Sequence, residues 1–368
     1  MSWETLTAAE QDHLLRRPFD HFARYRLAAE VVERTVGPDA RVLDLGGGPG
    51  TLAAFLPEAD VTATDIVAPS SWHEQAPDLV LADGAQLPFA DDAFDAVVTL
   101  DTLEHVVPAS RSSFLDEIGR VAARWALVVC PFGTPGVPDA DIALRAYVRN
   151  RFADDLPTIG ILNEHINYGH PNLAASRDRL AAFGLVATIP SGRLDRWLAG
   201  MITFFHLLSL GDDEPVEVVQ RFLNRNLYEA DLQGPAYRHG LLLRLTDDGP
   251  DPQSIADALL ERAIADPHAE ADLDLLRLVL TEELIDSSAS QADLQARLDL
   301  TAEAERQTRK NAEGLEQALA VAEAERVNLA AQIQEVQAQR DALQADLDRI
   351  MQHPAVRVRR AVKRLLDR

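Results

Sequence analysis

From residue 41 to about residue 250, short apolar runs rich in β-branched residues alternate with stretches of helical spacing. The runs are bounded by glycine, proline or aspartate, so the pattern predicts strands separated by helices. That is the signature of an α/β domain with a doubly wound, mostly parallel sheet. The expected strands are RVLDLG (41–46), DVTATD (60–65), LVLAD (79–83), FDAVVTLD (94–101), ALVVC (126–130), LVATIP (185–190) and HGLLLRLT (239–246). Seven strands make a full doubly wound sheet spanning residues 1–250. Two segments interrupt its later part, at about 131–176 and 194–230, and are expected as helical insertions. Insertions at the carboxyl ends of strands lie where ligands bind in open α/β sheets, so these two are expected to build an acceptor pocket.

Past the cluster TDDGPDPQ the spacing turns helical, which predicts a helical linker over 251–290. From Leu294 to Ile350 a heptad register runs without interruption by proline, and twelve of its seventeen seam positions are Leu, Ile, Val or Ala. This predicts a long α-helical coiled coil over 291–351, frayed near Thr301, Glu305 and Thr308. The alternative is a solvated single helix or a disordered acidic tract. Residues 352–368 reverse the charge sign of the chain. In AVRVRRAVKRLLDR the residues Val358, Ala361, Val362, Leu365 and Leu366 share one helical face, which predicts a basic amphipathic helix. Such a tail either meets an anionic membrane surface or docks on an acidic protein surface.

The formal net charge of -24 argues against nucleic acid as a partner. The single cysteine, Cys130, lies in an apolar run, so neither a disulfide framework nor a cysteine-ligated zinc is expected. The N-terminal residues lack the charged and apolar regions of a signal peptide, and RWLAGMITFFHLLSL is too short and too polar to span a bilayer. The expected location is therefore cytoplasmic, peripheral at the inner membrane face if the tail binds lipid.

The stretch VLDLGGGPG (42–50) ends an expected strand in a turn that only glycines can form closely. It lacks the Lys and Ser/Thr of a phosphate-binding loop. Its glycines Gly46, Gly48 and Gly50 stand at the first, third and fifth positions, not the first, third and sixth of a dinucleotide fingerprint. With Asp44 ahead of them, they resemble the first motif of class I S-adenosylmethionine-dependent methyltransferases. The resemblance continues in order through Asp65 in TATD, Asp83 in LADGAQLPF, and DDAFDAVVTLDTLEHV. It covers about residues 20–190 and fades after Cys130.

This resemblance implies a Rossmann-like fold and S-adenosyl-L-methionine as cofactor. Asp44 and the three glycines would lie against its methionine portion, Asp65 with Ile66 would meet the ribose side, and Asp83, Gly84 and Ala85 would address the adenine. Asp101 in the fourth motif and Arg26 in HFARYR, the latter facing the methionine carboxylate, complete the expected cofactor set.

Methyl transfer from a sulfonium is an in-line displacement, so the protein aligns the nucleophile and, for a hydroxyl, helps remove its proton. His105 in LDTLEHV and the pair Glu164 and His165 in LNEHINYGHPN are the candidate catalytic residues. His165 and His170 lack the spacing of a helical zinc pair, and no metal is expected. The rod and tail resemble those of bacterial surface-polysaccharide methyltransferases. The expected activity is O-methylation of a sugar or cell-surface glycan, with self-association through the coiled coil. The alternatives are a small-metabolite or lipid-linked acceptor, or a non-catalytic scaffold.

Overall fold

The computed structural model describes residues 3, 6–69, 79–152, 156–211 and 213–266, with isolated positions between 306 and 349. The chain divides into two units, Met1–Ala289 and Ser290–Arg368. In the second, the isolated described positions are helical, and the expected coiled-coil seam and basic tail otherwise lie outside the described residues.

The strands are β1 (Arg41–Leu45), β2 (Asp60–Asp65), β3 (Val80–Leu81), β4 (Phe94–Leu100), β5 (Ala122–Cys130), β6 (Leu185–Arg193) and β7 (Ala236–Arg244). They form one seven-stranded sheet in the order β3-β2-β1-β4-β5-β7-β6. Neighbours from β3 to β5 are parallel, whereas β7 runs antiparallel to both β5 and β6. The sheet is thus mixed, with a single reversed strand among the expected parallel set. β5 begins at Ala122, earlier than the apolar run suggests, because helix α3 (Arg111–Val121) leads straight into it.

Strands at the middle of the sheet are apolar on both faces because helices cover both. Val42, Ala96, Val98 and Leu100 pack into one core with α1 (Ala8–Leu15), α2 (Phe19–Thr35) and α9 (Pro252–Ala265). Their neighbours Leu43, Leu45 and Val97 pack into a second core with α3 and α6 (Leu173–Leu180). This period-two division is what a strand dictates, and each fully buried Val or Leu contributes about 1.5–3 kcal/mol. The helix α9 opens the stretch expected as a linker, yet it buries Ile255, Leu259 and Ala263 in the first core. Its Arg262 clasps the buried Glu30 of α2 with both terminal nitrogens.

The insertions are α4 (Val137–Phe152), α5 (Pro157–Tyr168), α7 (Leu194–Ser209) and α8 (Asp213–Asn226). The first three share a third apolar core with Tyr237 of β7. No helix among the described residues is long and apolar enough to cross a membrane.

Candidate active site

The sheet order reverses between β1 and β4, and the crevice outside their carboxyl ends is where an open α/β sheet binds ligands. Both strands end there, β1 in a turn and β4 in a loop. Gly46 has φ +75° and Gly47 leaves no room for a side chain. A Cβ at Gly46 would stand 2.3 Å from Thr102 Oγ1, and one at Gly47 would stand 2.3 Å from the Asp44 carboxylate. The turn is therefore pressed from one side by the β4 loop and underlaid by Asp44. Gly48 and Gly50 also take positive φ. Gly47 was not singled out by its spacing, although its place over Asp44 makes it as constrained as Gly46.

Asp44 is buried, and neither carboxylate oxygen has a well-formed hydrogen bond. Burial, with the charge of Asp65 adding to it, pushes its carboxyl up to about 7. Asp65 accepts from the backbone N–H of Gly48 at 3.2 Å and of Val67 at 3.2 Å, which fixes it at the end of β2. Ile66 beside it is 71% exposed, an apolar face that a flat ring would cover. Asp83 accepts from the N–H of Ala85 at 2.9 Å, and Gly84 lies so close over Phe114 that a Cβ would meet its ring at 2.4 Å. A cradle free of Cβ atoms, an orphaned buried carboxylate and two anchored acidic residues along one edge fit an adenosyl amino acid.

The placement of Asp101 and Arg26 differs from expectation. Asp101 has φ +49°, and its oxygens are taken up by Arg238, at 2.6 Å from Nε and 2.6 Å from Nη2, and by Arg24 Nη1 at 2.6 Å. Burial opposes its ionisation, but Arg238 and Arg24 outweigh it and hold the carboxyl below its usual range. Asp20 closes this network, 2.9 Å from Arg24 and 2.7 Å from Arg238, and accepts from Trp197 Nε1 at 2.6 Å. Asp101 is therefore an ion-pairing residue that shapes the β4 loop. Arg26 lies over the rings of Trp3 and Tyr228, at 5.2 Å and 5.8 Å from their centroids, not over the glycine turn. Two residues along a helix are about 200° apart, so α2 presents Arg24 to the site and turns Arg26 to the core. The Nε of Arg24 is buried without a partner.

The three candidate catalytic residues, separated by some sixty positions in sequence, come together. His105 Nδ1 lies 2.8 Å from Glu164 Oε2, and His105 Nε2 lies 3.4 Å from His165 Nε2. His165 Nδ1 is 2.7 Å from Asp141 Oδ2, which also takes His170 Nε2 at 2.9 Å, while Tyr237 donates to Asp141 Oδ1 at 2.6 Å. Burial works against ionisation of Asp141, but the bonds from His165 and His170 prevail and hold its carboxyl at about 2. Burial lowers the pKa of His105, and the charge on His165 lowers it further, against the pull of Glu164. Glu104 is fully buried with both oxygens unpartnered, and burial pushes its carboxyl well up. Asp141, Tyr237, Arg24 and Arg238 were not legible as site residues. The one sequence signal among them is Asp20-x-x-x-Arg24, a helical i,i+4 ion pair.

Glu104, His105, His165 and Tyr237 line a cavity of about 370 Å³. Asp101, Glu104 and His105 form its polar wall, and Leu144, Ile161, Met201, Phe204 and Phe205 of the insertion helices form its apolar wall. Thr102, between these wall residues, is the residue that touches Gly46, so the loop is shared by the glycine turn and the cavity.

Residues 43–130 match the family described as a methyltransferase domain. Among curated proteins, the chain is similar to the demethylmenaquinone methyltransferase of Clavibacter sepedonicus, 38% identical over 117 residues, covering 28% of this chain and 47% of that protein. The corresponding protein of Mycobacterium marinum is 37% identical over 105 residues, covering 27% and 45%. The chain thus spans about half the length of the curated relatives it matches. Similar solved structures include the YcgJ protein from Bacillus subtilis, with TM-score 0.37 and 16% identity over 62% of this chain and all of that one. Magnesium protoporphyrin IX methyltransferase from Synechocystis, solved with bound SAH, has TM-score 0.35 and 16% identity over 66% and 89%. Residues 43–130, from the glycine turn through the β4 loop to the end of β5, are thus similar to a methyltransferase domain, and the cofactor this implies is S-adenosylmethionine.

Proposed function

We propose that the chain transfers the methyl group of S-adenosylmethionine to a hydroxyl of a small acceptor with a largely apolar body. The observation that carries this reading is the shared β4 loop. One side of it supports the glycine turn, and the other presents Glu104 and His105 to a cavity with an apolar wall. The cavity volume lies within the range of small-molecule sites.

Bound S-adenosylmethionine supplies an already electrophilic methyl group, so no residue has to activate it. The protein holds the acceptor in line and removes its proton. His105, neutral near pH 7 and steadied by Glu164, stands with His165 where a hydroxyl would shed that proton. A cluster built for proton removal favours oxygen as the methylated atom. The wall of Leu144, Ile161, Met201, Phe204 and Phe205 favours an apolar or ring-shaped acceptor over a free sugar. The relatives named demethylmenaquinone methyltransferases support the same preference. The expected glycan acceptor rests on the rod and the tail, which lie outside the described residues. Self-association through the rod and membrane contact through residues 354–368 stand as proposals on the sequence alone.

Calorimetric titration of the full chain with S-adenosylmethionine tests the reading. Saturable binding is expected, and the double variant Asp65→Ala/Asp83→Ala should weaken it by at least about 100-fold, since hydrogen bonds to charged groups contribute about 1.5–3 kcal/mol each. Absence of saturable binding by folded wild-type protein would overturn the proposal.

Affinity should also depend on pH through Asp44. A carboxyl raised to about 7 keeps its proton in the folded chain where the unfolded chain has lost it, so its contribution to stability falls as pH rises from about 4 to 7. A cationic ligand over the turn favours the ionised form. S-adenosylmethionine binding should therefore tighten by up to about tenfold for each unit that pH rises toward 7, level off above it, and below 7 release a proton. Asp44→Asn should flatten this profile. A wild-type affinity constant from about pH 5.5 to 8 would exclude the role assigned to Asp44.

A further inference from the structure

We infer that Glu104, His105 and His165 form a binding site for a divalent transition-metal ion, zinc foremost, in the polar wall of the cavity. Its existence rests on geometry, and the role given below rests on the methyltransferase reading.

The three ligand atoms converge. His105 Nε2 and His165 Nε2 are 3.4 Å apart, and Glu104 Oε1 lies 3.8 Å from the first and 4.0 Å from the second. Ligands about 2.1 Å from a tetrahedral ion stand about 3.4 Å from one another, so small side-chain shifts complete the set.

Carboxylates only accept, so the contacts to Glu164 and Asp141 place a proton on Nδ1 of each histidine. The two rings then turn their Nε2 atoms toward each other and toward Glu104, a buried side chain whose oxygens have no hydrogen-bond partner. Three potential ligand atoms thus face one point, an arrangement that a cation satisfies.

The same contacts are the outer partners that metal-binding histidines need, an acidic group on the far nitrogen that fixes tautomer and ring orientation. Asp141 is suited to that outer role because it already receives three bonds, from His165, His170 and Tyr237. The alternative grouping of Asp141, His165 and His170 is thereby saturated. Asp101 is likewise taken up by two arginines. Two imidazole nitrogens and one carboxylate select zinc or a neighbouring first-row ion over magnesium or calcium. The histidine spacing of the 162–172 segment argued against a metal because it considered His165 with His170. The partner of His165 comes instead from the β4 loop.

Three protein ligands leave a position for the acceptor. With an ion bound, the two histidines hold the metal instead of taking the proton, and an acceptor hydroxyl in that position loses its proton to solvent at lower pH than it would in water. Its oxygen forms the new C–O bond as the methyl C–S bond breaks, and the sulfur keeps the electron pair.

The test uses untagged full-length chain dialysed against chelator, titrated with Zn²⁺ by calorimetry and with Co²⁺ by visible absorption. One ion per chain and a cobalt ligand-field band are expected. Glu104→Gln and His165→Ala should each weaken Zn²⁺ binding at least about tenfold and remove the band, with S-adenosylmethionine affinity unchanged as the check on folding. Wild-type protein that binds S-adenosylmethionine but takes up neither ion would overturn the proposal, as would uptake unchanged in both variants. Metal uptake lost in the variants, in a wild type that fails to bind S-adenosylmethionine, would uphold the metal site and remove the methyltransferase reading.

Discussion

His165→Ala is expected to lower turnover about 10²–10⁴-fold while leaving S-adenosylmethionine affinity within about twofold. The size follows from what a positioned proton-transfer or metal-holding group contributes to a hydroxyl reaction. The division between the two constants follows from the structure. His165 sits on α5, buried to 5% exposure, and touches Asp141, His105 and the Glu104 region. Of the β4 loop, the residue set against Gly46 of the glycine turn is Thr102. Turnover and cofactor binding measured on the same preparation separate the possibilities. A fall in affinity that matches the fall in turnover would mean that His165 serves the fold. Asp141→Asn offers a gentler comparison, since it keeps the shape and the bond from Tyr237 but weakens the hold on the histidine tautomer.

The largest stability effect is expected at Arg238. Its guanidinium pairs with Asp101 and Asp20 with its side chain only 6% exposed, and Arg24 is the other cation of the group. Two carboxylates and two guanidiniums balance. Arg238→Met leaves the group one positive charge short in a buried setting, where removing one partner costs about 3–5 kcal/mol. Arg238→Lys should recover part of the loss, because an ammonium cannot span both carboxylates as the planar fork does. Denaturant midpoints at fixed slope check the prediction. Adding Asp101→Asn to Arg238→Met should cost less than the sum of the two single changes. Simple additivity would show that the charges act independently.

Much of the fold was legible because a strand between two helical layers must be apolar, and short apolar runs separated by glycine, proline and aspartate mark it. The reversed direction of β7 was not legible. HGLLLRLT reads the same whichever way it enters the sheet, and direction is fixed only by its pairing with β5 and β6. At the site, Asp44, Asp65 and Asp83 stand at strand ends, where position in sequence and position in space agree. Asp141 in VPDADIALRAY looks like any acidic residue on a helix surface, and only the fold carries it to His165, His170 and Tyr237. His105 and His165 were each visible, but their meeting depends on how α5 packs. The choice between Arg24 and Arg26 depended on which face of α2 meets the turn, and helical spacing alone does not say which face that is.

The position of β7 has a consequence for the order in which the enzyme becomes competent during synthesis. Among the described residues, β6 has no neighbour in the sheet other than β7, and β7 is the last strand to be made. A nascent chain that has emerged only as far as residue 235 can pair β1 to β5 and shape the glycine turn. It still has an unanchored β6, lacks Tyr237 to hold Asp141, and lacks Arg238 to balance Asp20 and Asp101. The elements around the glycine turn therefore come early along the ribosome's path and the cavity closes late, when β7 pairs with β5 and β6.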